Sequence, residues 1–260
     1  MFQIKFNGIT FLSNYKFVNN LEKLLVIHGL GCEANDYKFL FKLKINKFHI
    51  LIPEIPGHNN TNPRLSIDPV LEFSRNIYLF LKKNKIKKFI IFSHSMGSIV
   101  SILLLAKFLK TKTLNKFINY EGNLLSSDAS MVTRKTVSYK KKVFIEKSFK
   151  QLIQKCEKSS SESIRSWSKS LKKIKAESFY NYSISVVKWS DKNILLSYYK
   201  FFFKRSIYLF GEYTENPHLT NFLLANKKKA IEKGDHFSCT SNSYKFNRLL
   251  LNYIYRKNIQ

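Results

Sequence analysis

The stretch that decides the fold reads FIIFSHSMGSIV and runs from Phe89 to Val100. Its first part is an apolar run with the length of a buried strand, and its last part begins an apolar helical segment that continues to Leu109. Small residues join the two parts, since Ser93 lies two positions before Ser95 and Gly97 two positions after it. A strand that turns this sharply into a helix needs small residues there, and it exposes the side chain between them. The pattern therefore predicts that Ser95 is a nucleophile.

Strand-like and helix-like segments alternate on either side of this stretch. Further apolar runs with the length of buried strands lie at Leu24–His28, Phe48–Ile52, Phe117–Tyr120 and Ser206–Phe210, and Lys229–Glu232 is predicted as a last strand. Asp68-Pro69 has the residue types of a helix start. Phe2–Phe6 and Ile9–Asn14 flank Asn7-Gly8, which is typical of a hairpin turn. The sequence predicts an α/β fold with a mostly parallel central sheet and helices on both faces.

The alternation stops between residues 124 and 203, where only helical spacing is found. Apolar residues at this spacing run from 144 to 156 and again from 164 to 174. We therefore predict a core made of 1–123 and 204–260, with 124–203 inserted as a helical cap over one edge of the sheet.

Glycine is scarce, and its positions are informative. Seven of the eight glycines come just after the end of a predicted strand. These are Gly29, Gly31, Gly57, Gly97, Gly122, Gly211 and Gly234. In open parallel sheets, ligands bind beyond the carboxyl ends of the strands. We therefore expect the functional site at this edge of the sheet.

The most unusual feature of the composition is its charge. Lysine and arginine number 45 against 17 aspartate and glutamate residues, which gives a formal net charge of +28. Two explanations remain open: a basic surface selected for an acidic partner, or lysine accumulated through AT-rich codons. No zinc-finger, helix-turn-helix or RNA-binding signature accompanies the charge, so no specific binding of nucleic acid is expected.

The sequence lacks the patterns that direct a chain to a membrane or out of the cell. No charged start leads into an apolar signal segment, and no apolar run approaches the ~20 residues of a membrane helix. Cys32, Cys156 and Cys239 have no metal-type spacing, so we expect free thiols. These features predict a cytoplasmic protein without a membrane span.

Five segments, ordered along nearly the whole chain, resemble those of the α/β-hydrolase family. They are LLVIHGLG (Leu24–Gly31), IPEIPGHNNT (Ile52–Thr61), FSHSMGS (Phe92–Ser98), SIYLFGE (Ser206–Glu212) and GDHFS (Gly234–Ser238). Three positions depart from the family's pattern, since Ser93 replaces a glycine, Glu54 an aspartate and Asn59 a glycine. The first departure is tolerable because serine is still small.

The resemblance implies a role for several residues of these segments. Ser95 would attack an acyl carbonyl, and His236 would accept the proton of its hydroxyl and return it to the leaving group. The backbone N–H groups of Leu30 and Met96 would stabilise the oxyanion.

Three further residues are predicted to take part in the site. Gly29, His58 and Trp167 are predicted to contact the substrate. His94 adjoins Ser95, but neighbours on a strand point to opposite faces, so we expect no catalytic role for His94.

No cofactor or metal ion is expected, because the histidines do not cluster at ligand spacing.

The acid that orients His236 is open at this stage. In the family it usually lies three or four residues past the glycine that is Gly211 here, where this chain has Thr214 and Glu215. Some members, among them haloalkane dehalogenases, carry it at the end of the strand after the nucleophile, where this chain has Glu121. The candidates, in order of preference, are Glu121, Glu215, and then Glu212 and Asp128.

Relatives of this fold that open epoxides or remove halides carry an aspartate where this chain has Ser95. The resemblance therefore predicts a serine hydrolase that cleaves an ester or thioester of a small acyl substrate through an acyl-enzyme. The lysine-rich cap makes an acidic carrier protein that bears the acyl group a further expected partner. The alternative is a catalytically silent protein of this fold that holds an acidic partner on its basic surface.

Overall fold

One sheet of eight strands runs through the part of the chain that the structure describes. The structure is a computed structural model, and it describes residues 1–43, 47–64, 66–109, 113–129, 132–241 and 243–255. The strands are β1 (Phe2–Phe6), β2 (Ile9–Ser13), β3 (Glu22–Ile27), β4 (Phe48–Pro53), β5 (Phe89–His94), β6 (Leu114–Tyr120), β7 (Ser206–Gly211) and β8 (Lys228–Ile231). Every strand predicted from the sequence is present, with small shifts at the ends.

The strand order places the predicted site residues at one edge of the sheet. The order is β1-β2-β4-β3-β5-β6-β7-β8, with β1, β2 and β4 antiparallel in turn and the other neighbours parallel. The carboxyl ends of the parallel strands therefore meet at the same edge. Ser95 follows β5 directly, and Glu121 follows β6 directly. The predicted fold class, a mostly parallel sheet with flanking helices, is confirmed.

Helices fill the connections between the strands. The α-helices are α1 (Pro69–Lys83), α2 (Met96–Leu103), α3 (Val132–Ser138), α4 (Lys141–Val143), α5 (Phe149–Glu157), α6 (Glu162–Leu171), α7 (Ala176–Asp191), α8 (Leu195–Lys200), α9 (Pro217–Thr220) and α10 (Tyr244–Tyr255). The π-helical segment Phe144–Ser148 joins α4 to α5, and Leu104–Phe108 continues α2. Within the described ranges, no helix has both the length and the apolar character needed to span a bilayer.

The parallel strands β3 to β7 are covered on both faces, which explains their apolar runs. In β3, Leu25 and Ile27 pack with residues of α1 and α2, whereas Leu24 and Val26 pack on the other face with residues of α10. All four side chains are fully buried. Burial of each contributes about 2 kcal/mol relative to exposure, so both helical layers stabilise the central strands.

All described secondary structure between β6 and β7 is helical, and we call α3 to α8 the cap helices. These helices contact the core closely at Gly57, whose carbonyl accepts a hydrogen bond from the backbone N–H of Lys175 at 3.0 Å. Gly57 has φ 82°, and a Cβ there would collide with Ser178 on α7. The division of the chain at residues 124 and 203 stays a prediction, and residues 256–260 lie outside the described residues.

The three cysteines are free, as the sequence predicts. Cys32, Cys156 and Cys239 are all buried. Burial raises the pKa of each thiol, which keeps them protonated and poorly nucleophilic at neutral pH.

Asp68 joins α1 to the cap helix α7. Its Oδ1 accepts a hydrogen bond from the N–H of Leu71 at 3.2 Å, which is the capping bond expected at this helix start. The same carboxylate accepts from Ser185 Oγ at 2.6 Å and from Trp189 Nε1 at 3.0 Å, and Lys188 Nζ lies at 3.2 Å. Burial acts to raise the pKa of Asp68, but these hydrogen bonds outweigh it and hold the pKa below its usual range.

Replacing Asp68 therefore tests the junction between core and cap. We expect Asp68→Ala to lower the free energy of unfolding by about 2 kcal/mol, measured by urea denaturation at pH 7. Asp68→Asn keeps a capping oxygen and is expected to lose less. Because the folded-state pKa is lowered, the difference between wild type and Asp68→Asn shrinks as the pH falls below about 4. Wild-type stability in Asp68→Ala would contradict this role.

Candidate active site

The turn between β5 and α2 presents Ser95 in a strained conformation. Its φ of 52° and ψ of −125° lie in a region that residues other than glycine rarely adopt. Its N–H donates to the carbonyl oxygen of Tyr120 at 3.0 Å. The Ser95 side chain makes no capping hydrogen bond with α2, and it lines a cavity instead. The backbone thus holds the hydroxyl away from the helix end.

Two backbone segments approach Ser95. A Cβ on Gly29 would lie 3.1 Å from the Cβ of Ser95, so the loop after β3 passes directly beside the serine. Leu30 follows in this loop, and both Leu30 and Met96 line the same cavity. Met96 is the first residue of α2, so its N–H has no acceptor within the helix and lies at the positive end of the helix dipole. These are the two positions at which oxyanion donors are predicted.

A hydrogen bond joins the end of β6 to the loop after β8. His236 Nδ1 lies 2.6 Å from Glu121 Oε2. Glu121 Oε1 accepts from the Gly211 N–H at 2.7 Å and from the Thr214 hydroxyl. An ionised carboxylate only accepts hydrogen bonds, so Nδ1 of His236 carries the proton and Nε2 is the ring nitrogen that can accept one. This is the arrangement of an acid that orients a base.

Ser95, Glu121 and His236 line one cavity of about 430 Å³, a volume typical of small-molecule sites. Much of the remaining wall is apolar and comes from the cap helices. Lining residues of this kind are Val132, Leu152, Ile164, Trp167 and Phe179. In the described part of the chain, no group of three or more histidine, cysteine, aspartate or glutamate side chains is placed to hold a metal ion.

Solved structures share this fold. A structure from a study of carboxylesterases of Nitrososphaera gargenis covers 97% of this chain and 97% of its own, with a TM-score of 0.75 and 14% identity. A thermophilic esterase from Thermogutta terrifontis covers 98% of both chains, with a TM-score of 0.73 and 12% identity. MenH from S. aureus covers 96% of this chain and 98% of its own, with a TM-score of 0.72 and 15% identity.

The strand order, the turn at Ser95 and these likenesses agree on one architecture. The chain has the α/β-hydrolase fold. At such low identities the likeness extends to the fold and not to the substrate. No family model matches the sequence, and no curated protein matches it.

In this fold, the four acids that the sequence offers as partners of His236 have different hydrogen-bond partners. Glu121 is the one whose carboxylate contacts the histidine. Glu215 Oε1 instead accepts a hydrogen bond from Thr220 Oγ1 at 2.7 Å. Glu212 and Asp128 accept hydrogen bonds from backbone N–H groups of their own surroundings. The geometry therefore favours Glu121 as the orienting acid.

His58 is another residue that the sequence predicts to contact the substrate. It is fully buried and is not among the residues that line the cavity. Its Nε2 accepts a hydrogen bond from the Gly31 N–H at 3.4 Å, and its ring packs against Tyr182. Burial lowers the pKa of His58 well below its usual value, so it is neutral. His58 supports the loop that carries Leu30.

Trp167 does line the cavity, and it also brings the cap against the core. Its indole stacks on Phe237, with ring centroids 5.2 Å apart. It also approaches Gly31 so closely that a Cβ there would collide with the indole. Trp167 therefore lies between the loop that carries Leu30 and the loop that carries His236.

Sequence reasoning missed two contributors to the site. Thr214 occupies a position at which an acid is usual, and its hydroxyl instead donates to Glu121. His94, for which only a catalytic role was considered, has its Nε2 2.8 Å from the backbone carbonyl oxygen of His236. Neither contact has a local sequence signal, because the partners are more than ninety residues apart.

The choice of acid is tested by a pair of matched substitutions. We expect Glu121→Gln to lower kcat by about 10³- to 10⁴-fold, because the amide stabilises the wrong tautomer of His236. Glu215→Gln, which alters a carboxylate bonded to Thr220, is expected to keep the wild-type kcat. Hydrolysis of p-nitrophenyl esters is the measurement. Full turnover in Glu121→Gln would show that Glu121 is not the acid that orients His236.

Proposed function

We propose that this protein is a serine hydrolase that cleaves an ester or thioester of a small acyl substrate through an acyl-enzyme. The observation that carries the proposal is the 2.6 Å contact between Glu121 and His236 at the cavity that Ser95 lines. A nucleophile, a base and an acid, each placed at a different strand end, are the groups that this chemistry requires.

In the first half of the reaction, Ser95 Oγ bonds to the carbonyl carbon of the substrate while its proton passes to His236 Nε2. The N–H groups of Leu30 and Met96 stabilise the oxyanion that forms. The bond to the leaving alcohol or thiol then breaks, and the leaving group takes the proton from Nε2. Glu121 stays ionised and stabilises the imidazolium between these two transfers.

In the second half, water adds to the acyl-enzyme. His236 accepts a proton from the water and returns it to Ser95 Oγ as the ester bond to the serine breaks. The products are a carboxylic acid and the regenerated enzyme. All proton transfers run through His236.

The wall of the cavity supports a substrate with an apolar acyl group. Most of the surface of the wall is apolar, and the volume of about 430 Å³ favours a small acyl group. The esterases among the structural neighbours support hydrolysis of carboxylic esters. Two lysines, Lys135 and Lys155, also line the cavity, and neither forms an ion pair with a described residue.

Covalent labelling tests the proposed function directly. We expect a fluorophosphonate probe to modify Ser95, located by mass spectrometry, and to leave Ser95→Ala unmodified. His236→Ala is expected to react at least about 10³-fold more slowly, because the base is lost. Glu215→Gln serves as the matched control and should react like wild type. Well-folded protein that takes up no label would instead favour a catalytically silent protein that binds an acidic partner.

The two cavity lysines lead to a prediction about substrate charge. If the acyl substrate carries an anionic group, as it does on an acidic carrier protein, Lys135→Ala and Lys155→Ala should each raise KM roughly two- to fivefold. The effect should vanish for a neutral ester of the same length and in the control Lys38→Ala, since Lys38 does not line the cavity. The carrier itself is tested by adding acyl-carrier protein. A carrier that neither binds nor changes turnover would count against this partner.

A further inference from the structure

The loop that carries His236 is held by its backbone carbonyl groups as well as by Glu121. The carbonyl oxygen of Asp235 accepts a hydrogen bond from the Tyr120 hydroxyl. The next carbonyl oxygen, that of His236, lies 2.8 Å from His94 Nε2. The side chains that hold these two carbonyl groups come from the last residues of β6 and β5.

The hydrogen bond to His236 fixes the protonation of His94. A carbonyl oxygen only accepts, so Nε2 of His94 must carry a proton. The other ring nitrogen, Nδ1, lies 2.7 Å from the Tyr37 hydroxyl. In a neutral ring Nδ1 is an acceptor, so Tyr37 donates to it. Tyr37 thereby selects the tautomer that donates to His236.

The surroundings of His94 keep the ring neutral. His94 and Tyr37 are fully buried, and the His94 and His236 rings lie 4.8 Å apart. Burial, and then the neighbouring His236, lower the pKa of His94 well below its usual value. Burial also raises the pKa of the Tyr37 hydroxyl, so it keeps its proton. His94 and Tyr37 therefore each hold one protonation state at neutral pH.

We propose that His94 and Tyr37 are positioning residues, which hold the main chain of His236 so that its imidazole stays aligned between Glu121 and Ser95. The proposal rests on the proposed function, because it gives His236 the role of base. Glu121 fixes the ring of His236 at Nδ1, whereas His94 fixes the peptide group from which that ring extends. Hydrogen bonds to both the ring and the backbone of His236 restrict its position more than either bond would alone.

Three variants separate this role from general stability. His94→Leu removes the donor to the His236 carbonyl. His94→Gln restores an N–H at the same number of bonds from Cβ, so it can donate to the same oxygen. Tyr37→Phe keeps the His94 ring but removes the hydroxyl that selects its tautomer. Thermal unfolding of each variant shows whether it is folded at the assay temperature.

The expected result is a loss confined to kcat. We expect His94→Leu to lower kcat about 100-fold with little change in KM, because a misplaced base slows the chemistry while the substrate pocket is intact. His94→Gln should recover most of kcat, and Tyr37→Phe should lie between His94→Leu and wild type. Equal losses in His94→Gln and His94→Leu would show that only the imidazole's bulk matters and would overturn the proposal.

A second measurement does not depend on activity. Hydrogen–deuterium exchange should be faster in the loop 234–241 of His94→Leu than in wild type, and His94→Gln should restore the protection. Unchanged exchange and unchanged kcat in His94→Leu would contradict the positioning role while leaving the proposed hydrolase intact. A wild-type protein without hydrolase activity would contradict the proposed function, and exchange alone would then decide whether His94 holds the loop.

Discussion

The close contact between α2 and β3 is the constraint on which the rest of the site depends. Gly97 lies so near β3 that a Cβ there would collide with the carbonyl oxygens of Ile27 and His28. Because the helix begins so close to the sheet, the chain has no room for a loop after β5, and Ser95 must turn with φ 52°. Such a backbone costs about 1–3 kcal/mol, and it persists only where surrounding contacts determine it.

Backbone hydrogen bonds tie Ser95 and Glu121 each to the next strand of the sheet. The N–H of Ser95 donates to the carbonyl oxygen of Tyr120 at the end of β6, and the N–H of Glu121 donates to that of Leu209 on β7 at 2.9 Å. Glu121 also has a positive φ, of 42°. Each strained residue is thus tied to the strand beside it, in the spatial order β5-β6-β7. The strain at Ser95 and that at Glu121 are therefore held by the sheet itself.

Local sequence patterns were sufficient to predict the strands and the turn at Ser95. The apolar runs predicted the strands because buried parallel strands need no polar face, and small residues around Ser95 predicted its turn. The acid was not decidable in the same way. Glu121 and Glu215 both follow a strand, and only the folded chain shows that Glu215 meets Thr220 instead of the histidine. The contact of His94 with the His236 carbonyl was not predicted, because strand alternation gives the direction of a side chain but not the residue that it meets.

The position of the acid follows from the donors that surround it. At the end of β7, where an acid is usual, Thr214 supplies a hydroxyl and Gly211 an N–H, and both groups donate. A carboxylate that reaches these donors from β6 has one oxygen occupied by them and the other free to accept from His236. The length of a glutamate side chain allows Glu121 to span from the end of one strand to the next. The donors at β7 and the acid at β6 are therefore complementary, because a second carboxylate at 214 would face Glu121 with like charge and no donor.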